Sequence, residues 1–386
     1  MWRRAARLLG RIDERLNSVS FSTKVRLTAL TIFLIIVGAV RHFPAGREPG
    51  TDTIADNYEA RVVRNDVRDM YTKRLVEQTP LEAATWTKEA SSPYPPATLL
   101  VLSGLAAVGD AVGIGLAGMV AAVALVFLAL SLIYFLRTRW YLFPLLYLNF
   151  GYLAERFFFV QDGSYLVMLV VVMTALLFVA RRPAAGALLM AVATTMKLSP
   201  LYYARYLGTS WMPRWVAPAW VAIVAAGLVL PYFVWENYLY IFQYNNELKG
   251  DLASAAGGAA IALACAAGLW VLDRRGAFDR EEQIGWALVP VALFLAFKMN
   301  TARHLLLPLL VPDKRGTRNV AAAIGLTLDT LGGAAISLND TLPVMTLTLG
   351  VGLILVGFRG AGVPGFHGAG SGAGSGSEVP GSVRRT

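Results

Sequence analysis

Two carboxylates that follow the first apolar segment of the chain could act as a general base. Asp52 comes after the tripeptide Pro-Gly-Thr, just beyond the apolar segment 25–40, and Asp56 is four residues further on. If this stretch is helical, both side chains share one face. A carboxylate placed where a loop leaves a membrane span can deprotonate a hydroxyl at the membrane surface. For most of the other charges in residues 44–93, a solvated amphipathic helix is the simpler interpretation.

Cations surrounded by apolar sequence form a second set of candidates. Lys197 lies between two apolar residues, and ionisable groups at membrane depth usually face a cavity or a partner. A phosphate is a natural partner for a lysine, although a lysine that snorkels to the interface fits the charge equally well. Lys298, Arg303 and His304 cluster before another apolar segment and would suit a lipid that carries a phosphate. The alternative for these three residues is an ordinary charged turn.

Aromatic residues and one further acid could line a groove beside these charges. Tyr94 opens the apolar segment Tyr94-Pro95-Pro96, which ends the charged stretch. Tyr240 and Tyr244 lie in an amphipathic segment and could pack against a sugar or a lipid, or could belong to an interfacial aromatic belt. Asp162 could be a second acid at the site, but a simple Asp-Gly turn explains it as well.

Composition places the chain in a membrane and excludes several other classes. Of its 386 residues, 56% are hydrophobic and 16% are charged, and soluble domains carry about 25% charged residues. Uncharged runs such as 112–136 and 165–180 are long enough to predict spanning helices. The net charge of +10 then reflects cytoplasmic Lys and Arg, and we expect no nucleic-acid partner. Cys265 is the single cysteine, and no His/Cys set has metal-ligand spacing, so the sequence predicts neither a metal nor a cofactor.

Basic clusters predict the topology, because Lys and Arg concentrate on the cytoplasmic side of membrane proteins. The five arginines before residue 16 place the N-terminus inside, and further clusters recur along the chain at 137–139, 181–182, 205–214, 274–280, 314–318 and 359. An even number of crossings between clusters then requires turns near 196–200 and 298–304. Residues 97–108 are too short to cross and should form an interfacial helix leading into a span at about 111–136.

These rules predict an all-α polytopic bundle of about twelve transmembrane helices with both termini cytoplasmic. The predicted domains are a cytoplasmic N-terminal segment (1–24), a transmembrane domain (25–358) with a helical first outer loop (44–110), and a disordered, Gly/Ser-rich cytoplasmic tail (359–386). The first apolar segment lacks a clear cleavage site, so we expect a retained helix and not a signal peptide.

The motifs resemble those of the GT-C glycosyltransferases, and most closely glycosyltransferase family 87, the polyprenyl-phosphate-mannose-dependent α-mannosyltransferases of bacteria. The resemblance covers about residues 25–358. Its carriers are Gly50-Thr51-Asp52, Asp69-Met70-Tyr71, Tyr94-Pro95-Pro96, Lys197-Leu198-Ser199-Pro200, and His304-Leu305 before Pro308.

This resemblance implies an inverting enzyme in a prokaryotic cell membrane. It would move mannose or another hexose from a polyprenyl-phosphate donor to a hydroxyl of a glycolipid or glycan on the outer face. Asp52, with Asp56 as the alternative, would be the base. Lys197 and His304 would contact the donor phosphate, and Lys298 and Arg303 would assist them.

Two other classes remain open from the sequence. A transporter or flippase for a lipid-linked sugar would also contain intramembrane cations and many helices. The charged outer loop at 44–93 favours an enzyme, since a transporter has little need of it. A subunit of an envelope assembly with a degenerate site is the third class. An enzyme needs its acid and Lys197 in one outer cavity, whereas a transporter would bind near the membrane midplane.

Overall fold

The regular structure is helical throughout the part of the chain that can be described. A computed structural model of the protein describes residues 8, 11–12, 14–42, 67, 71, 94–143, 163–179, 181–208, 212–235, 238, 252–274, 289–291 and 293–294. These residues contain no β-strand. They form α1 (Phe21–His42), α2 (Pro96–Ala111), α3 (Gly115–Arg137), α4 (Gly163–Val179), α5 (Pro183–Met196), a 3-10 helix (Ser199–Gly208), α6 (Val216–Val234) and α7 (Leu252–Arg274).

Two of the described helices, α3 and α6, are long and apolar enough to cross a membrane. The 23 residues of α3 extend about 34 Å at 1.5 Å per residue, against about 30 Å of hydrocarbon. The helices α2, α4, α5 and a 16-residue part of α7 are apolar but shorter. The all-α prediction is therefore confirmed for the described residues, and the number of twelve spans stays a prediction.

The exposed surfaces of α1 and α6 carry large apolar side chains. In α1, Thr28 and Thr31 are buried, whereas the side chain of Phe33 is 60% exposed. Near the end of α6, Phe233 is 74% exposed. Large exposed apolar surfaces are rare on soluble monomers, and this pattern suits helices that contact lipid.

The boundary between α2 and α3 differs from the predicted one. The sequence predicted a short helix at 97–108 and a span beginning near residue 111, but α2 continues to Ala111 and α3 begins at Gly115. Gly113 and Gly115 separate the helices with φ angles of 78° and 64°. Residues with a side chain strongly disfavour such angles and glycine does not, so the chain can reverse within a largely apolar run. The predicted order of a short helix followed by a long one is therefore confirmed, and only the boundary lies a few residues later than expected, because hydropathy alone does not mark this turn. The interfacial position of the short helix stays a prediction.

Helices α4 and α5 form an antiparallel hairpin that carries much of the core. Their connection is closed by a 2.7 Å hydrogen bond from the Arg182 N–H to the Phe178 carbonyl. Gly186 allows the helices to approach, because a Cβ atom there would collide with the Val179 side chain. Helix α5 ends at Met196, Lys197 is extended, and the 3-10 helix begins at Ser199. The turn predicted near 196–200 is therefore confirmed.

Candidate functional site

Of the residues predicted to form the site, the structure describes Tyr94 and Lys197, and it brings them together. The Lys197 Nζ lies over the Tyr94 ring, 5.3 Å from its centroid. The other predicted residues lie outside the described part of the chain: Asp52, Asp56, Asp162, Tyr240, Tyr244, Lys298, Arg303 and His304. Their roles stay predictions.

The backbone at Lys197 is held on both sides of one peptide bond. The Lys197 N–H donates to the Ala193 carbonyl at 3.1 Å. The Met196 carbonyl accepts a 2.6 Å hydrogen bond from the hydroxyl of Thr98, in the first turn of α2. The last carbonyls of a helix have no partner within the helix, so the Thr98 hydroxyl satisfies a group that would otherwise be buried without one. The start of the Lys197 side chain is thereby fixed relative to α2.

The side chain of Lys197 lies over two tyrosine rings that come from different parts of the chain. Besides Tyr94, Nζ lies over the ring of Tyr165, 5.1 Å from its centroid. Tyr165 is buried in the first turn of α4. A cation–π contact contributes about 0.5–1 kcal/mol at exposed sites and about 2 kcal/mol when desolvated. We call Tyr94 and Tyr165 the tyrosine clamp.

A cluster of aromatic rings joins the first long loop to this site. We call Tyr71, Tyr94, Trp235 and Tyr238 the aromatic cluster. The Tyr71 hydroxyl donates a 2.7 Å hydrogen bond to the Tyr94 carbonyl. The Tyr71 ring packs edge to face against Trp235 at 5.8 Å and Tyr238 at 5.6 Å between centroids.

The aromatic cluster is fastened to the loop a second time. The Trp235 Nε1–H donates a 2.9 Å hydrogen bond to the carbonyl of Val67, four residues before Tyr71 in the sequence. Burial raises the pKa of the Tyr238 phenol above its usual value. Trp235 and Tyr238 follow α6 directly, so this loop segment is attached to the end of α6.

Four helix termini therefore meet at one end of the bundle, which we call the clamp end. Helices α2 and α4 begin there with Tyr94 and Tyr165, and α5 and α6 end there with Lys197 and Trp235. The opposite ends of α4, α5 and α6 bear Arg181, Arg182 and Arg214. Among the described residues placed at the clamp end, Lys197 alone is basic.

This arrangement agrees with the predicted division of the loops into two groups, which was based on the positions of the basic clusters. The predicted outer segments 44–110, 197–199 and 235–252 each contribute residues to the clamp end. The basic segment before α1 lies near the end of α3, because the Trp140 Nε1–H donates to the Leu16 carbonyl at 2.6 Å. The clamp end is suited to bind an anion, since it presents one cation on aromatic faces. The described residues hold no group of three or more His, Cys, Asp or Glu that could bind a metal.

Sequence reasoning missed Tyr165 and Thr98. Tyr165 lies two residues beyond the predicted outer turn at 161–163, which indicated the same end of the bundle as Lys197 but not a contact with it. Thr98 had no comparable signal, because a threonine near a helix start is common and its partner is 98 residues away. Trp235 and Tyr238 lie at the start of the predicted aromatic loop, but their contact with Tyr71 is tertiary.

No family model, curated protein or solved structure matches the chain.

Proposed function

We propose that the protein is an inverting glycosyltransferase of the GT-C type. It transfers a hexose, such as mannose, from a polyprenyl-phosphate donor to a hydroxyl of a glycolipid or glycan. One observation carries the proposal: Tyr94-Pro95-Pro96 and Lys197-Leu198-Ser199-Pro200, two motifs of the resemblance that are far apart in sequence, lie side by side. Their contact is what a shared substrate site requires.

In the proposed reaction a carboxylate and a cation act on opposite sides of the anomeric carbon. Asp52, or Asp56 in its place, removes the proton of the acceptor hydroxyl as its oxygen attacks. The bond between the anomeric carbon and the phosphate oxygen breaks, and its electron pair leaves with the polyprenyl phosphate. Lys197 stabilises the negative charge that develops there. Lys298, Arg303 and His304 assist Lys197 in stabilising this charge. The proton remains on the carboxylate, and the configuration at the anomeric carbon is inverted.

In this proposal the chain is a multi-pass protein of a prokaryotic cell membrane. About twelve helices cross it, both termini are cytoplasmic, and the clamp end faces outward. The donor arrives laterally through the lipid, and the acceptor binds at the outer surface.

The position of Lys197 at a helix terminus favours this enzyme over a transporter for lipid-linked sugars. Transporter sites lie near the bilayer midplane, at breaks within helices. Lys197 instead follows the last residue of α5, and α4 begins and α6 ends at the same level. A cation at a helix terminus is better placed to bind a lipid headgroup than to bind a substrate that is crossing the membrane.

A transfer assay tests the proposal. Purified protein is incubated with radiolabelled polyprenyl-phosphate mannose and a membrane lipid extract, and labelled glycolipid is measured. Lys197→Met should lower turnover by about 10²–10³-fold, the loss expected when a group that stabilises developing charge is removed. Lys24→Met is the matched control, because Lys24 is also half-buried and donates to the Asn17 carbonyl at 2.7 Å, in the segment before α1. Full turnover by Lys197→Met would exclude the phosphate role.

The same assay separates the two candidate bases. Asp52→Asn keeps the size of the side chain but removes the base, so turnover should fall by about 10²–10⁴-fold. Asp56→Asn should cost much less. The reverse result would exchange the two roles, and two active variants would place the base elsewhere, with Asp162 next to be tested.

A further inference from the structure

We infer that Tyr165 is a positioning residue that, with Tyr94, holds the Lys197 ammonium in place for a phosphate oxygen. This inference deepens the proposed function and rests on it, since it assigns the ligand of the clamp end as a lipid phosphate. The observation behind it is the pair of distances from Nζ, 5.3 Å to the Tyr94 centroid and 5.1 Å to the Tyr165 centroid.

The tyrosine clamp restricts the motion of the Lys197 side chain, which would otherwise weaken anion binding. Lysine carries a compact charge on a flexible four-carbon stem, so an unrestrained ammonium loses freedom when it binds a ligand. Two ring faces attract the ammonium and restrict it before the ligand arrives. A preorganised group binds its ligand more tightly, because its conformational entropy has already been lost before the ligand binds.

The chemistry of the restraint also matters. A tyrosine ring face attracts a cation through its quadrupole and bears no formal negative charge. The two clamp contacts therefore hold Nζ without a formal negative charge that would neutralise the ammonium or strongly repel a phosphate. A lysine ammonium has three N–H donors, and a charge-assisted hydrogen bond to phosphate is roughly twice as strong as a neutral one.

The two rings are held in different ways, and Tyr165 is the more rigidly placed. Gly163, Ser164, Tyr165 and Leu166 are all buried in the first turn of α4. Tyr94 instead precedes α2 and is tied through its carbonyl to the Tyr71 hydroxyl. Tyr165 is therefore the more firmly held of the two rings that contact the Lys197 ammonium.

Graded fluorination of residue 165 tests the inference without changing the size of the side chain much. Phenylalanine and its mono-, di- and trifluoro derivatives are introduced at Tyr165 in the full-length protein, and each fluorine weakens the attraction of the ring face for a cation. Binding of farnesyl phosphate in detergent micelles is titrated, with farnesol as the probe that lacks the phosphate. The same series at Tyr232, half exposed near the end of α6, is the matched control.

We expect the Kd for farnesyl phosphate to rise stepwise, about tenfold over the series, which corresponds to about 1.4 kcal/mol. Farnesol binding and the Tyr232 series should not change. A tyrosine that only packs would show no graded trend. An unchanged Kd would overturn the inference. A Kd that falls with fluorination would also overturn it, because the ring would then be withdrawing the ammonium from the ligand.

A second measurement reports on the clamp without any ligand. Lysines are labelled as ¹³C-dimethyl-lysine, which keeps the positive charge, and the Lys197 signal is assigned with Lys197→Arg. Ring faces should shift this signal upfield, and fluorination at residue 165 should move it. A signal that does not move would overturn the inference. If the phosphate trend holds while no polyprenyl-phosphate sugar supports transfer, the proposed reaction fails and the positioning role of Tyr165 stands.

Discussion

The Thr98 hydroxyl donates a 2.6 Å hydrogen bond to the Met196 carbonyl and so joins the first turn of α2 to the last residue of α5. The peptide that accepts this bond is the one that leads to Lys197. Its N–H is held as well, by the carbonyl of Ala193. One buried side chain thus connects the segment that begins with Tyr94 to the residue that carries the charge of the clamp end.

Removing this hydrogen bond should destabilise the protein more than removing a similar bond within a helix. Thr98→Val keeps the shape of the side chain but leaves the buried Met196 carbonyl without this partner, at a cost of about 1–3 kcal/mol in the free energy of unfolding. Thr194→Val is the control, because the buried Thr194 hydroxyl bonds to the Met190 carbonyl at 2.8 Å. That carbonyl also belongs to the hydrogen-bond ladder of α5, so less is lost.

Chemical or thermal unfolding in detergent gives both values for these threonine variants. Equal losses in the free energy of unfolding would mean that the hydrogen bond between α2 and α5 stabilises the protein no more than a bond within α5. If Thr98→Val has normal stability and normal transfer activity, the Thr98 hydroxyl does not help to position Lys197.

Tyr71 and Trp235 should stabilise the protein together and not independently. Each donates one hydrogen bond between the first loop and the helix bundle, and their rings are also in contact. Tyr71→Phe and Trp235→Phe should each lower the free energy of unfolding by about 0.5–1.5 kcal/mol. A double-mutant cycle should show a coupling of about 0.5 kcal/mol or more, since the residues share one network.

The control for this cycle is Tyr232→Phe. The exposed Tyr232 ring contacts Phe233 and lies outside the aromatic cluster. Its loss of a hydroxyl should change stability by less than about 0.5 kcal/mol. Strictly additive effects of the Tyr71 and Trp235 variants would show that the loop is fastened at two separate points.

The features that could be predicted from the sequence are those with a local cause. Long apolar runs predict helices, and the break after Met196 is local as well. Pro200 has no N–H to donate to the Met196 carbonyl, four residues before it, and its ring would clash with that carbonyl if the α-helix continued. The break between α2 and α3 is also local, but its signal is conformational and not hydrophobic. Gly113 and Gly115 interrupt a run with almost no polar residues, so hydropathy did not place the boundary there.

The tyrosine clamp could not be predicted as a unit, because its parts meet only through packing. Lys197 stood out as a cation in apolar sequence and Tyr94 through its motif. Tyr165 lies in a run of apolar residues, and nothing local separates a ring that faces a lysine from a ring in the core. The contact depends on the α4–α5 hairpin, which brings the first turn of α4 beside the end of α5.

Two glycines of α2 should respond in opposite directions to the same substitution. A Cβ atom at Gly109 would collide with the Gly115 carbonyl, where α2 and α3 approach each other. Gly109→Ala should therefore lower the free energy of unfolding by about 1–3 kcal/mol. A Cβ atom at Gly104 would meet open space, and Gly104→Ala should stabilise the helix by about 0.4–1 kcal/mol. Unfolding in detergent compares the two, and stabilisation by both would contradict the close approach of α2 and α3.

The orientation of the clamp end can be tested on two exposed residues at opposite ends of the bundle. Leu198 follows Lys197 and is 45% exposed, and Trp215 precedes α6 and is 56% exposed. The 19 residues of α6 separate the two ends by about 28 Å. Leu198→Cys and Trp215→Cys are each made in a Cys265→Ser background, which removes the single native cysteine.

If the clamp end faces outward, a membrane-impermeant maleimide should label Leu198→Cys in intact cells. It should label Trp215→Cys only after the cells are permeabilised, because the positive-inside rule predicts that the end with Arg181, Arg182 and Arg214 is cytoplasmic. The reverse pattern would place Lys197 in the cytoplasm, where an outer-face transfer cannot occur. Labelling of both positions from outside would mean that α6 does not cross the membrane, and the predicted topology would then be wrong at α6.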